Sequence, residues 1–282
     1  MTPLLFTALV LATSTVAGVA GAILGLGGGI LLVPVLTMFF GVDMRDAMGA
    51  SVVSVIATSS GAAAAYLRSG LSNIRVGLFL AMATVSGAIV GAALVGVVPE
   101  RALAMILGGA LAYSAFVTLR QLDLDVPGEP PYDALAARFE LEGTYYDATL
   151  DREVKYRATR VGRGATAMFG AGVLSGLLGI GSGAFKVLAM DYFMRLPMKV
   201  STATSNFMIG ITASASAAIY FGRGDIRPGL ACPVAVGVLA GAYLGTRLLA
   251  RLRNTTVRRI FLPVIVYLAI AMILRGFGMR LS

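Results

Sequence analysis

The chain has 282 residues, of which 57% are apolar and only 13% charged, with a mean hydropathy of +0.85 and a net charge of +9. A typical soluble domain carries about 25% charged residues, so this composition excludes an ordinary cytoplasmic enzyme and points to lipid as the solvent. There is no His and a single Cys, Cys232, which excludes a His-ligated metal, a His-based catalytic dyad and a disulfide within one chain.

A basic excess raises nucleic acid as a partner, but the distribution argues against it. Residues 120–163 hold nine acids and seven bases, a net of −2. The rest holds 16 bases and five acids, a net of +11, in short clusters between apolar runs with no aromatic residues interleaved. That is the pattern of short cytoplasmic loops in a multi-pass membrane protein.

In chain order, residues 3–40 carry no charge. As one helix they would reach about 57 Å, too long for a single crossing, and Gly25, Gly27, Gly28 and Gly29 interrupt them. The runs 46–67, 76–98 and 102–119 each suit one span of a hydrocarbon core about 30 Å thick. Pro127, Pro130 and Pro131 then open a polar segment, where Phe139–Glu142 and Val154–Ala158 alternate with period two. This reads as a small β-hairpin. A lone hairpin is marginal, so it is expected to pack on the membrane part or on its copy in a homodimer. The run 164–194 is again interrupted, by Gly179, Gly181, Ser182 and Gly183, and spans follow at 200–222, 229–250 and 256–274. Consecutive glycines are poor helix interior, so both interrupted runs are read as helices broken at mid-membrane.

The breaks belong to a repeat. A shift of 154 places Gly25, Gly27 and Gly29 on Gly179, Gly181 and Gly183, Ser51 on Ser205, Thr58 on Thr212 and Tyr66 on Tyr220. Farther on, Gly87 and Gly91 meet Gly241 and Gly245, two GxxxG pairs read as packing motifs. If each broken run enters the membrane and returns, the halves are inverted and 22 loop bases divide 16 to 6 between the two sides; if each crosses once, they divide 13 to 9. The positive-inside rule favours inversion, with residues 120–163 cytoplasmic and both termini outside. The expected architecture is an all-α integral membrane protein of two inverted repeats, 1–119 and 164–282. Each has a glycine-broken re-entrant hairpin plus three spanning helices, and the cytoplasmic β-hairpin insert, 120–163, lies between them.

Matched broken helices in inverted halves point to a transporter's binding site. Freed backbone groups survive in lipid only where protein, water or a ligand satisfies them, and helix N-termini favour an anion. The expected substrate-binding residues are Gly25, Gly27, Gly28, Gly29 and Ser51 in the first half. In the second they are Gly179, Gly181, Ser182, Gly183, Lys186, Ser205 and Asn206. Lys186 follows the second break within an apolar run, where a charge is costly and marks a functional site; the bland alternative is that it snorkels to an interface or pairs with Asp191. Asp191, the acid of these runs that lies away from loop ends, is the candidate proton carrier. No catalytic constellation, cofactor or metal site is expected. The partners are a small anionic substrate and the lipid bilayer, with no nucleic acid.

The stretches GAILGLGGGILLVPVL, SGLLGIGSGAFKVLAMD and KVSTATSNFMIGITASASA resemble the sulfite exporter TauE/SafE family, also called the toluene sulfonate uptake permease family. The resemblance implies a multi-pass inner-membrane permease moving sulfite, sulfonates or related small anions by secondary transport. The family's motif positions fall on Gly25, Gly27, Gly28, Gly29 and Pro34, and on Gly179, Gly181 and Gly183. Here Ser182 replaces a glycine, Leu188 stands where the first half has Pro34, and the central insert is long. A channel-like facilitator without ion coupling, and a membrane sensor or assembly subunit, are the alternatives.

Overall fold

The computed structural model describes residues 2–24, 28–68, 71–120, 133–147, 152–249 and 254–279. Gly25, Gly27, the prolines at 127, 130 and 131, and both chain ends therefore lie outside the described residues. Helices dominate, since in lipid a helix satisfies its own backbone. The first half gives α1 (Pro3–Leu24), α2 (Gly29–Phe39), α3 (Met44–Arg68), α4 (Ile74–Leu94) and α5 (Glu100–Arg120). The second gives α7 (Val161–Leu178), α8 (Gly183–Leu188) continued by one π turn (Ala189–Phe193), α9 (Met198–Gly222), α10 (Pro228–Leu249) and α11 (Asn254–Gly276). Among the described residues, three stretches are long and apolar enough to cross a membrane by length and composition: Leu4–Gly21, Ile74–Leu94 and Val161–Leu178. Helices α3 and α9 are rich in small polar residues and bury many of them where the two pack together and on their neighbours.

Each broken run is a hairpin with unequal arms. The α1 arm has 22 residues, a reach of about 33 Å, and the returning α2 arm has 11. Their ends meet: the rings of Phe6 and Phe40 pack edge to face at 5.8 Å. In the second half Thr159, just before α7, donates its backbone N–H to the carbonyl of Met194 at 3.0 Å, so α8 and its π turn return to where α7 began. The first arm of each run is thus unbroken over a full crossing length, and the interruption follows it rather than dividing it. An apolar run of 18 to 22 residues already spans, so the glycines set the reversal.

The packing repeats between halves. Helix α1 lies on α10 as α7 lies on α4; α3 packs on α9, and α5 on α11. Small residues make the close contacts. A Cβ on Gly87 would stand 2.2 Å from the Phe169 carbonyl oxygen, one on Gly91 2.1 Å from that of Val173, and one on Gly241 2.1 Å from that of Thr15. These three glycines are packing residues, as their spacing suggests; Gly245 lies outside the residues whose packing is described. Directions follow from the same contacts. Asp46 at the start of α3 pairs with Arg227 beyond the end of α9 at 2.9 Å, while Ser59 farther along α3 meets Gly210. Gly108 of α5 meets Ile273 of α11, and Gly276 meets Arg101. Both pairs run antiparallel.

The insert sits on one end of the helices. Strands β1 (Glu142–Asp147) and β2 (Arg152–Arg157) pair antiparallel, with Glu142 opposite Arg157 and Tyr145 opposite Val154. The first strand starts later than alternation suggests. Asp133 caps a short helix, α6 (Ala134–Arg138), and Glu140 then turns the chain at φ 49. Asp133 also accepts from the Val161 N–H at 3.0 Å, so one carboxylate holds the starts of α6 and α7. Burial alone would raise its pKa, but backbone N–H bonds from Val161, Ala136, Leu135 and Arg160 outweigh this and hold the carboxyl below its ordinary range. The hairpin packs on the helix ends: Tyr145, Val154 and Val200 form one buried cluster with Leu71 and Tyr156 against it. Asn73, the cap of α4, donates to the Tyr156 hydroxyl at 3.0 Å and to the Glu142 carbonyl at 3.2 Å.

Candidate anion-binding site at the two chain breaks

The second break is described in full. Helix α7 ends at Leu178 and Gly179 reverses it at φ 66, donating its N–H to the Ser175 carbonyl. This is the left-handed stop that glycine tolerates best. The Tyr220 hydroxyl donates to the Gly176 carbonyl at 3.0 Å, covering one of the carbonyls that a helix end leaves unpaired. Gly181 follows at φ 71 and Ser182 at φ 44, and α8 then begins. In the first half Gly28 stands at φ 72, at the position that the repeat matches to Ser182.

The two breaks meet on α3. The Ser51 hydroxyl donates to the Gly179 carbonyl at 2.8 Å and lies 3.1 Å from the Gly29 carbonyl, so one side chain ties both halves. Its repeat partner Ser205 donates to the Gly183 carbonyl at 3.2 Å. Gly29 and Gly183 are themselves repeat partners. A Cβ on Gly29 would fall 2.4 Å from Val55 Cγ2, one on Gly181 2.8 Å from Val55 Cγ1, and one on Gly179 2.6 Å from the Met48 carbonyl oxygen. Glycine at these places lets both breaks seat against one face of α3.

Lys186 lies on α8 and is 0% exposed. Its Nζ donates to Thr212 Oγ1 at 3.0 Å. Thr212 in turn donates to the Met208 carbonyl at 2.8 Å, and Thr84 Oγ1 of α4 lies 3.4 Å away. Among the described residues no carboxylate pairs with Lys186. The ion pairs found there, Arg75–Glu140, Arg157–Glu142, Arg223–Asp225 and Arg227–Asp46, all lie at helix ends or on the insert. The pairing with Asp191 is therefore not made; Asp191 sits half-buried on the π turn.

Other expected residues already make bonds within the protein. Asn206 is buried and donates to the Thr202 carbonyl at 3.0 Å on its own helix. The Ser182 hydroxyl donates to the Ala171 carbonyl at 2.7 Å. The hydroxyl hydrogens of Ser51, Ser182 and Ser205 all go to carbonyls, so these serines fix the breaks. Among the described residues, the groups left to meet an anion are the Lys186 ammonium, the second N–H of the Asn206 amide and the first-turn amides that a helix leaves unpaired. Polarity is one-sided: the repeat puts Leu32 opposite Lys186, Val52 opposite Asn206 and Val238 opposite Thr84. Thr84 gave no signal in the sequence. Thr212 gave a repeat match with Thr58, but only the fold shows which side chain it holds.

Comparison with known proteins places the chain among membrane transporters. A family model described as "Sulfite exporter TauE/SafE" matches residues 10–272. The chain is 25% identical over 268 residues to the "Probable membrane transporter protein YunE" of Bacillus subtilis (strain 168), covering 93% of this chain and 95% of that one. It is 26% identical over 230 residues to the "Probable membrane transporter protein YdhB" of the same strain, covering 82% and 85%. No solved structure matches the chain.

Proposed function

This chain belongs to the sulfite exporter TauE/SafE family of membrane transporters, and from that premise we propose that it is a secondary transporter carrying a small sulfur-containing anion, such as sulfite or an organosulfonate, across the inner membrane. The observation that carries the substrate class is Lys186: a fully buried cation on the broken helix, with no carboxylate beside it among the described residues. A charge at such depth demands a partner, and a small oxyanion supplies one. Gly28 and Gly29 with Gly179, Gly181 and Gly183 let the chain reverse close to that partner, and the repeat in sequence extends the assignment to Gly25 and Gly27. Ser51, Ser182 and Ser205 hold the reversal in shape, Asn206 offers its second amide N–H to the anion, and Asp191 lies one turn beyond as a route for a coupled proton.

We take the halves 1–119 and 164–282 as inverted repeats. Supporting this, the repeat-matched pairs α3/α9 and α5/α11 run antiparallel, and each hairpin returns to its own entry side. Rocking of one half against the other would then expose the site to each side in turn. The insert and the 71–75 turn share one end, and with the 16 of 22 loop bases that the inverted arrangement collects, that end is assigned to the cytoplasm.

The experiment is a thermal-shift screen of the purified protein with sulfite, sulfate, methanesulfonate and chloride. A ligand at a hundred times its Kd stabilises the native state by about 2.7 kcal/mol. A sulfur oxyanion should raise the melting temperature beyond chloride; equal behaviour of all four anions contradicts the assignment.

A further inference from the structure

We propose that Thr212 is a positioning residue of the anion site, acting through Lys186. This deepens the reading above and rests on it. The case is geometric. The Thr212 hydroxyl hydrogen is committed to the Met208 carbonyl at 2.8 Å, so its oxygen is free to accept, and it accepts from Lys186 Nζ at 3.0 Å. That is the hydrogen bond the fully buried amine makes. An ammonium has three N–H donors; one bond to Thr212 leaves two for a guest.

Among the described residues, no other anchor for Lys186 is found. Helix α8 packs against α9, α7 and α5. The titratable residues on those helices and the π turn are Asp191 and Tyr192 on the π turn, Glu100, Arg101, Tyr113 and Arg120 on α5, Arg163 on α7, and Lys199 and Tyr220 on α9. None bonds to Lys186 among the described residues. Phe185, the residue before Lys186, is instead stacked on Tyr113 at 4.9 Å. Thr84 backs Thr212 at 3.4 Å from α4, which belongs to the other half of the chain. The lysine is thus held where the two halves meet, and its four-carbon stem is fixed before an anion arrives. Fixing a long side chain in advance removes an ordering penalty from binding. The repeat partner Thr58 holds no lysine, because Leu32 occupies that place. The same threonine has therefore acquired a role in one half only.

The test is calorimetric titration of the purified protein with methanesulfonate, using wild type, Thr212→Val, Thr212→Ser, Lys186→Met and the Thr212→Val/Lys186→Met pair. Valine keeps the shape and removes the acceptor; serine keeps the acceptor. Thr212→Val should bind about threefold to tenfold more weakly, with Thr212→Ser near wild type. The valine effect should vanish in the Lys186→Met background, a coupling that a purely structural threonine would not show. Affinity unchanged or tightened in Thr212→Val, with Lys186→Met still defective, overturns the role of Thr212 and leaves the anion site standing. Full affinity in Lys186→Met removes the site itself, and this inference with it. If Thr212→Val does not fold, loss of affinity in the folded Thr212→Ser variant equal to that of Lys186→Met would equally count against the hydroxyl as anchor.

Discussion

A residue other than glycine held in the left-handed region costs about 1–2 kcal/mol, and Ser182 is such a residue at φ 44. Its hydroxyl offsets part of that strain through the 2.7 Å bond to the Ala171 carbonyl, since a buried bond contributes about 1 kcal/mol net. The two substitutions at this place separate the effects. Ser182→Gly loses the bond and relieves the strain, so its unfolding free energy in detergent should stay within about 1 kcal/mol of wild type. Ser182→Ala loses the bond and keeps the strain, so it should unfold about 1–2 kcal/mol more easily. Equal stability of the two variants would show that the backbone there is unstrained. At this scale the sequence marked the departure from glycine, but the compensating carbonyl lies eleven residues upstream on a neighbouring turn of α7, which no local pattern reveals. Lys186 was legible for the opposite reason: a charge in an apolar run is conspicuous wherever it points, whereas its partner Thr212 is one hydroxyl among many on α9.

The elements were legible where periodicity and length agreed. The spans at 46–67 and 200–222 became α3 and α9 within a few residues, because apolar runs of that length in lipid have no alternative to a helix. The interrupted runs were legible as interruptions but not as unequal arms. The reversal depends on contacts at α3, where Gly29, Gly179 and Gly181 seat against Val55 and Met48, and these are far away in sequence. Strand β1 begins at Glu142 rather than Phe139, since the Asp133 cap draws Ala134–Arg138 into a helical turn before pairing can begin. The hairpin directions make a prediction about sidedness. In a Cys232→Ala background, Val97→Cys lies exposed in the turn between α4 and α5, and Lys155→Cys lies exposed on β2. A membrane-impermeant maleimide should label Val97→Cys on intact cells and Lys155→Cys only in inverted vesicles. Labelling of both from the same side would mean that α4 does not cross.

On the scale of the molecule, two halves that match in sequence also match in packing, yet they differ in polarity. The repeat builds the frame twice, with α1 on α10 and α7 on α4, while Lys186, Thr212 and Thr84 concentrate charge and hydroxyls on one side of it. Duplication was visible in the sequence because glycine positions report close backbone approach. The asymmetry was visible only as a list of mismatches until the fold brought α4, α8 and α9 together. On the proposed function, such a frame with a one-sided site would give an anion one resting place with two ways out. The most direct measurement is uptake of radiolabelled sulfite into proteoliposomes, driven by an imposed proton gradient, for wild type and Lys186→Met. Wild type should accumulate sulfite above the external concentration, and Lys186→Met should be slower by at least about tenfold, as expected for losing a charged partner. Equilibration without accumulation would make the protein a passive channel, and equal accumulation in the two proteins would contradict an anion site built on Lys186.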